Sequence, residues 1–444
     1  MKVTRHPFDP GPAVWNRLLP PALRRPTLES AKTADVVVIG GGFAGLSAAL
    51  RLRQLDMKLK IVVLEARQIA EGPAGRNSGF MIDLPHHLAS KDYAGSMDSD
   101  REQTALNREA IAFAADAAAE FAMSEEAFAI SGKINAAATA KGMAHNLDYA
   151  RHLTDLGEQH EMLDSEAMYA ICGSRYYRSG LFTPGTAMIQ PALYIRNLAA
   201  GIEAKDIQIF ENSTVTEMTK TGNDWLLKTD KGSVTTHKVV LATNGHVESF
   251  GFFKRRLIHI YLYGSMTRPL TGSESKALGG QKLWGFTPAD PMGTSVRKIS
   301  GTGGERILVR NRFTWAPDRT VSERKLGGMA RVHERAFAKR FPQLEHVNMD
   351  FCWGGLLCLS WNTVPAFGEL EHGLYSACCQ NGLGTTMGTL SGKLTAELLL
   401  GKTSSSLASM LAKPKPKRLP PEPLSSIGAN ITMRWGEFKA RKEL

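Results

Sequence analysis

Ala34-Asp-Val-Val-Val-Ile-Gly-Gly-Gly-Phe-Ala-Gly-Leu-Ser-Ala-Ala-Leu50 is the stretch from which the rest of the chain is read. A short β-branched run meets three spaced glycines and passes into a helical pattern. Gly40, Gly42 and Gly45 set a G-x-G-x-x-G frame at a strand-to-helix turn. The first glycine permits the tight turn, the second lets backbone approach a pyrophosphate, and the third lets helix and strand pack closely. The helix that begins at Phe43 and Ala44 points its first amides and positive dipole end toward the phosphates. The pattern predicts a dinucleotide site, and leaves FAD, NAD and NADP open.

Working outward, Lys60-Ile-Val-Val-Leu-Glu65 reads as the second strand of a Rossmann unit. Glu65 stands 20 positions beyond Gly45, where an acidic side chain takes the ribose hydroxyls of an adenosine half. Ala66 and Arg67 follow it beside the same nucleoside. Helical character is expected over 101–122, 145–170 and beyond 187–199. Ile207–Phe210 suits a third strand, 214–229 a meander, and Ser233–Gly245 another strand ending in a glycine turn. Between about 251 and 344 short alternating strands precede a helix at 322–340, an antiparallel layer on the substrate side. Glycine-turn material returns at Gly373-Leu-Tyr and Gly382-Leu-Gly384.

The chain has 444 residues, 43% of them hydrophobic, which is ample for two domains. No apolar run reaches the roughly 18 residues of a membrane span, and the N-terminus lacks a signal-type apolar core. The expected location is cytoplasmic. The five cysteines (Cys172, Cys352, Cys358, Cys378 and Cys379) are odd in number and lack metal spacing, so neither disulfides nor a zinc site is expected. The net charge of +11 draws on Lys254-Arg-Arg256 and Lys413-Pro-Lys-Pro-Lys-Arg418. No nucleic-acid-binding motif accompanies it, and a solvated surface is the plain reading.

A second motif, Gly75-Arg-Asn-Ser-Gly79, follows the second strand by about ten positions. With Val239-Val-Leu-Ala-Thr-Asn-Gly245 and the block Trp353-Gly-Gly, Asn362-Thr-Val-Pro, Gly373, Gly382-Leu-Gly384 and Gly392-Lys, the chain resembles the FAD-dependent amine and amino-acid oxidoreductases of the glycine/D-amino-acid oxidase family. The resemblance covers about residues 10–440 and is nearest the γ-glutamylputrescine oxidase branch. It implies an α/β architecture: a Rossmann-type FAD-binding domain assembled from 34–86, 185–250 and 345–405, and a substrate domain with a mainly antiparallel sheet and flanking helices from 87–184 and 251–344. An arm (1–33) and a basic, Pro-rich tail (406–444) flank them, the tail ending in an amphipathic segment.

The same resemblance implies FAD contacts at Gly40, Gly42, Phe43, Ala44, Gly45, Glu65, Ala66 and Arg67. It adds Gly75, Arg76, Asn77, Ser78 and Gly79, then Val215, Ala242 and Thr243, and finally Gly382, Gly384, Thr385 and Thr386. It implies oxidation of a secondary amine or N-substituted amino acid to an imine, hydrolysed to an amine and an aldehyde or oxo-acid, with dioxygen reduced to hydrogen peroxide. A dehydrogenase passing electrons to a carrier, a flavin-binding protein without turnover, and an NAD-dependent enzyme are the alternatives.

Departures from the family pattern matter. Gly355 and Arg76 occupy the places of the cysteine and histidine that attach flavin in some relatives, so FAD is expected to be non-covalent. Ile82 and Thr386 stand where sarcosine-type enzymes place a carboxylate-binding arginine and lysine, and Leu308 where they place the oxygen-activating lysine. Asn362 replaces the usual aspartate. Substrate-side candidates are therefore His259, Tyr261, Arg268 and Arg310, with Arg312 and His246 beside them. Strand alternation puts His259 with Tyr261, and Arg310 with Arg312, on common faces.

Overall fold

The computed structural model describes residues 1–85 and 95–444. The expected boundary at 86/87 lies outside the described residues. Two large sheets carry the architecture. The first runs in the order Glu217–Thr221, Asp224–Lys228, Ser233–Leu241, Ala31–Ile39, Ile61–Leu64 and Gln208–Phe210. Leu374–Cys378 joins it in parallel beside Ser233–Leu241. The central strands are β-branched and buried on both faces, as helix-covered parallel strands require. Their register brings Ile39, Leu64 and Leu241 level, so three parallel strands end together. Ligands in such sheets bind at these carboxyl ends.

The second sheet runs Met349–Ser360, Leu257–Thr267, Arg306–Trp315, Ser295–Ile299, Trp284–Pro288, Lys133–Ala137, Ser179–Thr183 and Glu161–Leu163. All its pairs are antiparallel except that between Trp284–Pro288 and Lys133–Ala137. A small third sheet pairs Phe80–Met81 and Phe128–Ile130 with Ala187–Ile189. Helices Phe43–Leu55 and Thr386–Leu399 cross on the first sheet so closely that a Cβ at Gly392 would lie 2.0 Å from the Ala44 carbonyl oxygen.

One expectation changes, and the arm and tail gain definite structure. The single helix over 145–170 is two helices, Ala140–Leu156 and Ser165–Cys172, with strand Glu161–Leu163 between them. Gly157 ends the first at φ +79°, and Asp164 caps the second through the Ala167 amide. The N-terminal arm is not loose. One helical turn, Val14–Arg17, buries Val14 and Trp15 completely in the main core. The tail forms helix Leu424–Ala440, whose inner side lies along strand Arg306–Trp315: Trp315 Nε1 donates to Ser426 Oγ at 2.8 Å, and Arg312 pairs with Glu437.

Candidate active site

A cavity of about 380 Å³ runs from the ends of the parallel strands to the face of the second sheet. Gly40 to Ala44 line its middle. Gly40 adopts φ +109°, which L side chains rarely reach, and its amide donates to the Leu64 carbonyl at 2.9 Å. Gly42 is the N-cap of helix Phe43–Leu55 and supplies no side-chain oxygen, so the first helical amides are left for a ligand. Gly45 does not line the cavity. A Cβ there would lie 1.8 Å from the Gly40 carbonyl oxygen, so this glycine serves helix-on-turn packing.

At one end sits Glu65. Its Oε2 accepts from the Gly41 amide at 2.8 Å and its Oε1 from the Arg67 amide at 3.0 Å. Each oxygen keeps a lone-pair direction for a hydroxyl. Burial pushes its carboxyl above the usual range, and the two amides oppose this. Ala66, Arg67 and Val215 complete that end. Arg67 pairs with Asp9 of the arm and donates to the Glu71 carbonyl at 3.1 Å. His6, Pro7 and Asp9 also line the cavity, a contribution that motif reading missed because the arm carries no motif.

The 75–79 loop is held by its own side chains and by three donors from outside it. Arg76 lines the cavity and spends Nε and Nη1 on carbonyls. Nη1 donates to Pro10 and Gly11 at 3.1 Å and to Gly354 at 3.3 Å, and Nε to Glu71 at 2.8 Å. Asn77 closes the turn, with Nδ2 donating to Ala74 at 2.7 Å and Oδ1 accepting from the Gly79 amide at 2.9 Å. Gly75 is packed against Ala70 outside the lining. Trp15 and Trp353 donate to the Asn77 and Arg76 carbonyls.

Arg297 donates through Nη1 to Ser78 at 3.2 Å, Gly79 at 3.1 Å and Ile189 at 2.6 Å. Burial pushes it down to about 10, which still leaves it cationic at neutral pH. It was invisible to alternation because all five residues of Ser295–Ile299 are buried.

The far end lies between the two large sheets. Gly382 (φ +89°), Leu383, Gly384 and Thr385 lead into helix Thr386–Leu399 and line the cavity. Thr385 Oγ1 donates to the Phe80 carbonyl at 2.6 Å. Thr386 is buried outside the lining, donating to Ile82 at 3.3 Å. Ala242, Thr243, Asn244 and His246 form the floor. Asn244 Oδ1 and His246 Nδ1 are buried without a hydrogen-bond partner among the described residues. Burial and nearby Arg319 push His246 down to about 3, so it is neutral.

The opposite wall is mostly apolar, with Ile260, Leu262, Leu308, Leu356 and Leu357, and also carries Tyr263, Thr287 and Ser295. Arg310 is the cation on it. Its Nη1 donates to Ser295 Oγ at 3.3 Å, and its guanidinium lies 5.8 Å from the Phe313 ring centre.

His246 thus lines the cavity, but His259, Tyr261, Arg268 and Arg312 do not reach it. His259 and Tyr261 point to the reverse face of their strand, since Ile260 and Leu262 take the cavity side. There His259 Nε2 meets Glu248 at 2.7 Å, and Tyr261 Oη donates to the Phe8 and Arg319 carbonyls at 2.7 and 2.8 Å. Arg268 is held by both carboxylate oxygens of Glu274, at 2.8 and 2.6 Å. Arg312 does not share a face with Arg310. The ladder slips between Leu262 and Tyr263, pairing them with Phe313 and Asn311. Arg312 is the extra residue, at φ +66°, and turns to Glu437. A one-residue bulge reverses the alternation beyond it. Asn362 holds the tail instead, its Oδ1 accepting from the Lys417 amide at 2.9 Å.

The residues present fit FAD. One cavity joins an acidic adenosine-type end, a glycine turn under open helix amides and a second glycine turn. Among the residues that line it, Asn244 and His246 carry buried polar atoms without a hydrogen-bond partner among the described residues. The family model for DAO, the FAD-dependent oxidoreductases, matches residues 35–398. The chain belongs to the DAO family of FAD-dependent oxidoreductases. It is similar to an oxidoreductase designated OrdL from Haemophilus influenzae, 26% identical over 384 residues and covering 85% of each chain. It is similar to gamma-glutamylputrescine oxidoreductase of Escherichia coli, 26% identical over 387 residues, covering 84% of this chain and 85% of that one.

Among solved structures, glycine oxidase from Geobacillus kaustophilus shares the fold at TM-score 0.70 and 18% identity, over 88% of this chain and 100% of that one. Iminodiacetate oxidase from Chelativorans does so at 0.66 and 14%, over 86% and 100%. This DAO-family enzyme therefore uses FAD. Among the described residues, no helix is long and apolar enough to cross a membrane.

Proposed function

We propose that this flavoenzyme oxidises the C–N bond of a carboxylated secondary amine or N-substituted amino acid to an imine, which water hydrolyses to an amine and an aldehyde or oxo-acid, with dioxygen reduced to hydrogen peroxide. The observation that carries the reading is Arg310, the cation among the described second-sheet residues that line the cavity, on a wall made mostly of apolar side chains. FAD, held without a covalent bond, supplies the two-electron acceptor. Arg310 orients the substrate by its carboxylate, a charge-assisted contact. Ile260, Leu262 and Leu308 keep water from the reacting carbon. Their low dielectric, with the Arg310 charge, lowers the substrate amine pKa and favours the neutral amine that the reaction requires. The names of two relatives, an iminodiacetate oxidase and a gamma-glutamylputrescine oxidoreductase, are in keeping with an N-substituted, carboxylated amine.

One observation favours a second reading for the acceptor. Leu308 lines the cavity where sarcosine-type enzymes place lysine, and the described lining contains no lysine. A dehydrogenase passing electrons to a carrier fits this wall as well. The test is anaerobic bleaching of the bound flavin by a panel of N-alkyl amino acids and matched uncharged amines, followed by admission of air. Bleaching confined to carboxylated amines, with stoichiometric peroxide, supports the proposal. Bleaching by uncharged amines alone refutes the substrate class, and reoxidation only by an added carrier refutes the oxidase step.

A further inference from the structure

The C-terminal helix Leu424–Ala440 is inside out. Apart from half-buried Met433, its inner side is small or polar: Ser426 bonded to Trp315, Gly436 against Met292, Glu437 paired with Arg312, and buried Ala440. Its large apolar residues face solvent. Leu424, Ile427, Ile431, Trp435 and Phe438 remain 52–64% exposed. At 3.6 residues per turn these five fall on one stripe. Burial explains why such residues are normally inside, and a contiguous exposed patch marks a contact surface. The stripe is stiffened by Trp435 and Phe438, stacked at 5.8 Å and 22°.

Charge identifies what covers it. Arg434 and Lys439, both exposed, flank the stripe on either edge, and Lys439 Nζ lies 4.9 Å over the Trp435 ring. The exposed side of the helix carries no carboxylate, because Glu437 is turned inward. The chain also stitches two basic runs together just before the helix. The Leu419 amide donates to the Arg255 carbonyl at 2.7 Å, and Arg256 Nη1 donates to the Pro416 carbonyl at 2.7 Å. Exposed Lys254 and Arg255 thereby join exposed Lys415, Lys417 and Arg418.

An apolar stripe with Trp and Phe, flanked by cations and preceded by a basic patch, has the chemistry of a helix lying in a lipid interface. The stripe amounts to roughly 500 Å² by ordinary side-chain areas, short of the about 800 Å² per partner of a standard protein interface. Cations at its edges would also repel those of a second copy.

We propose that helix 424–440 and the joined basic runs 254–256 and 413–418 dock this enzyme peripherally on an anionic phospholipid surface. The stripe enters the acyl boundary while the basic patch meets the headgroups, and no segment crosses the bilayer.

The test is sedimentation of the FAD-loaded enzyme with vesicles of phosphatidylcholine alone or mixed with phosphatidylglycerol. Binding is expected to the mixed vesicles only, with a blue shift of tryptophan emission, and to weaken near 1 M salt, where the Debye length is about 3 Å. Ile431→Glu with Trp435→Glu should abolish it. Lys415→Glu, Lys417→Glu and Arg418→Glu together should weaken it by ~100-fold or more, at about fivefold per cation lost and a further penalty for each charge reversed. All five side chains are exposed, so flavin absorbance and melting temperature should stay unchanged. Absence of binding to mixed vesicles overturns the proposal, as does equal binding to neutral ones. So does a solution dimer that Ile431→Glu dissociates, which would make a second copy the occupant.

Discussion

Gly45→Ala and Gly42→Ala should have opposite consequences, although both remove a glycine from one short turn. At Gly45 the new methyl would lie 1.8 Å from the Gly40 carbonyl oxygen and 3.3 Å from Val38 Cγ1. The nearest group is backbone, so helix Phe43–Leu55 must move away from the turn by about 1 Å to restore ordinary contact. Overpacking costs about 1–3 kcal/mol when side chains can adjust, and a backbone clash sits at or above the top of that range. We take about 3 kcal/mol. For 444 residues, an unfolding entropy of about 2.1 cal/mol/K per residue makes this about a 3 °C drop in Tm.

The moved helix also withdraws the amides that face the cavity. Losing FAD present at a hundredfold excess over Kd removes about 2.7 kcal/mol more, so the holoprotein difference approaches about 6 °C. At Gly42 the methyl meets only Ala74 Cβ at 3.4 Å, an ordinary contact. Gly42→Ala should leave the apoprotein within about 1 kcal/mol of wild type. It should weaken FAD binding at least about tenfold, because backbone must come close to the diphosphate there. Calorimetry of apo and holo forms with flavin fluorescence titration reads both quantities. Wild-type Tm and FAD affinity in Gly45→Ala would refute the packing argument, and equal apoprotein destabilisation by both variants would refute the division of roles.

Arg310→Ala should raise KM for a carboxylated amine by about ten- to a hundredfold, the worth of one hydrogen bond to a charged group, and barely change KM for an uncharged amine; equal effects on both would remove Arg310 as the carboxylate partner. His333 is fully buried between Ser265 Oγ at 2.8 Å and the Asn311 carbonyl at 3.3 Å, and burial pushes it down to about 4. The unfolded chain takes up its proton below about 6.5 while the folded one does not, so stability falls as pH drops from about 6.5 to about 4, at up to about 1.4 kcal/mol per pH unit. Urea denaturation of His333→Gln should show that much shallower a pH slope than wild type, and an unchanged slope would place the proton elsewhere. Acid precipitation should leave all FAD in the supernatant; flavin retained on the pellet would mean a covalent link.

Local chemistry made the nucleotide half of the site readable from sequence. A glycine at φ +109°, an acid at the end of the second strand and a returning glycine turn each meet a backbone requirement that few residues satisfy, so residue type alone reports position. The helix over 145–170 was misread because Gly157 and Asp164 stop and restart a pattern whose apolar period continues across them.

The substrate half was not legible, because its geometry is set by pairings between distant strands. A single bulge, opposite the Leu262–Tyr263 step, sends Arg312 to the tail and leaves Arg310 on the cavity wall. Alternation within one strand cannot reveal a slip that exists only against its neighbour. The same holds for Arg297, whose partners lie in the 75–79 loop and at Ile189, for the arm that carries Asp9 to Arg67, and for the two basic runs joined beside the last helix. Sequence by itself determined a dinucleotide site and the Rossmann unit that holds it, since those rest on short-range backbone constraints, and the family resemblance narrowed the dinucleotide to FAD. Tertiary structure alone decided which side chains face the cavity and which apolar residues are left outside, because burial and facing are properties of contacts between segments far apart in the chain.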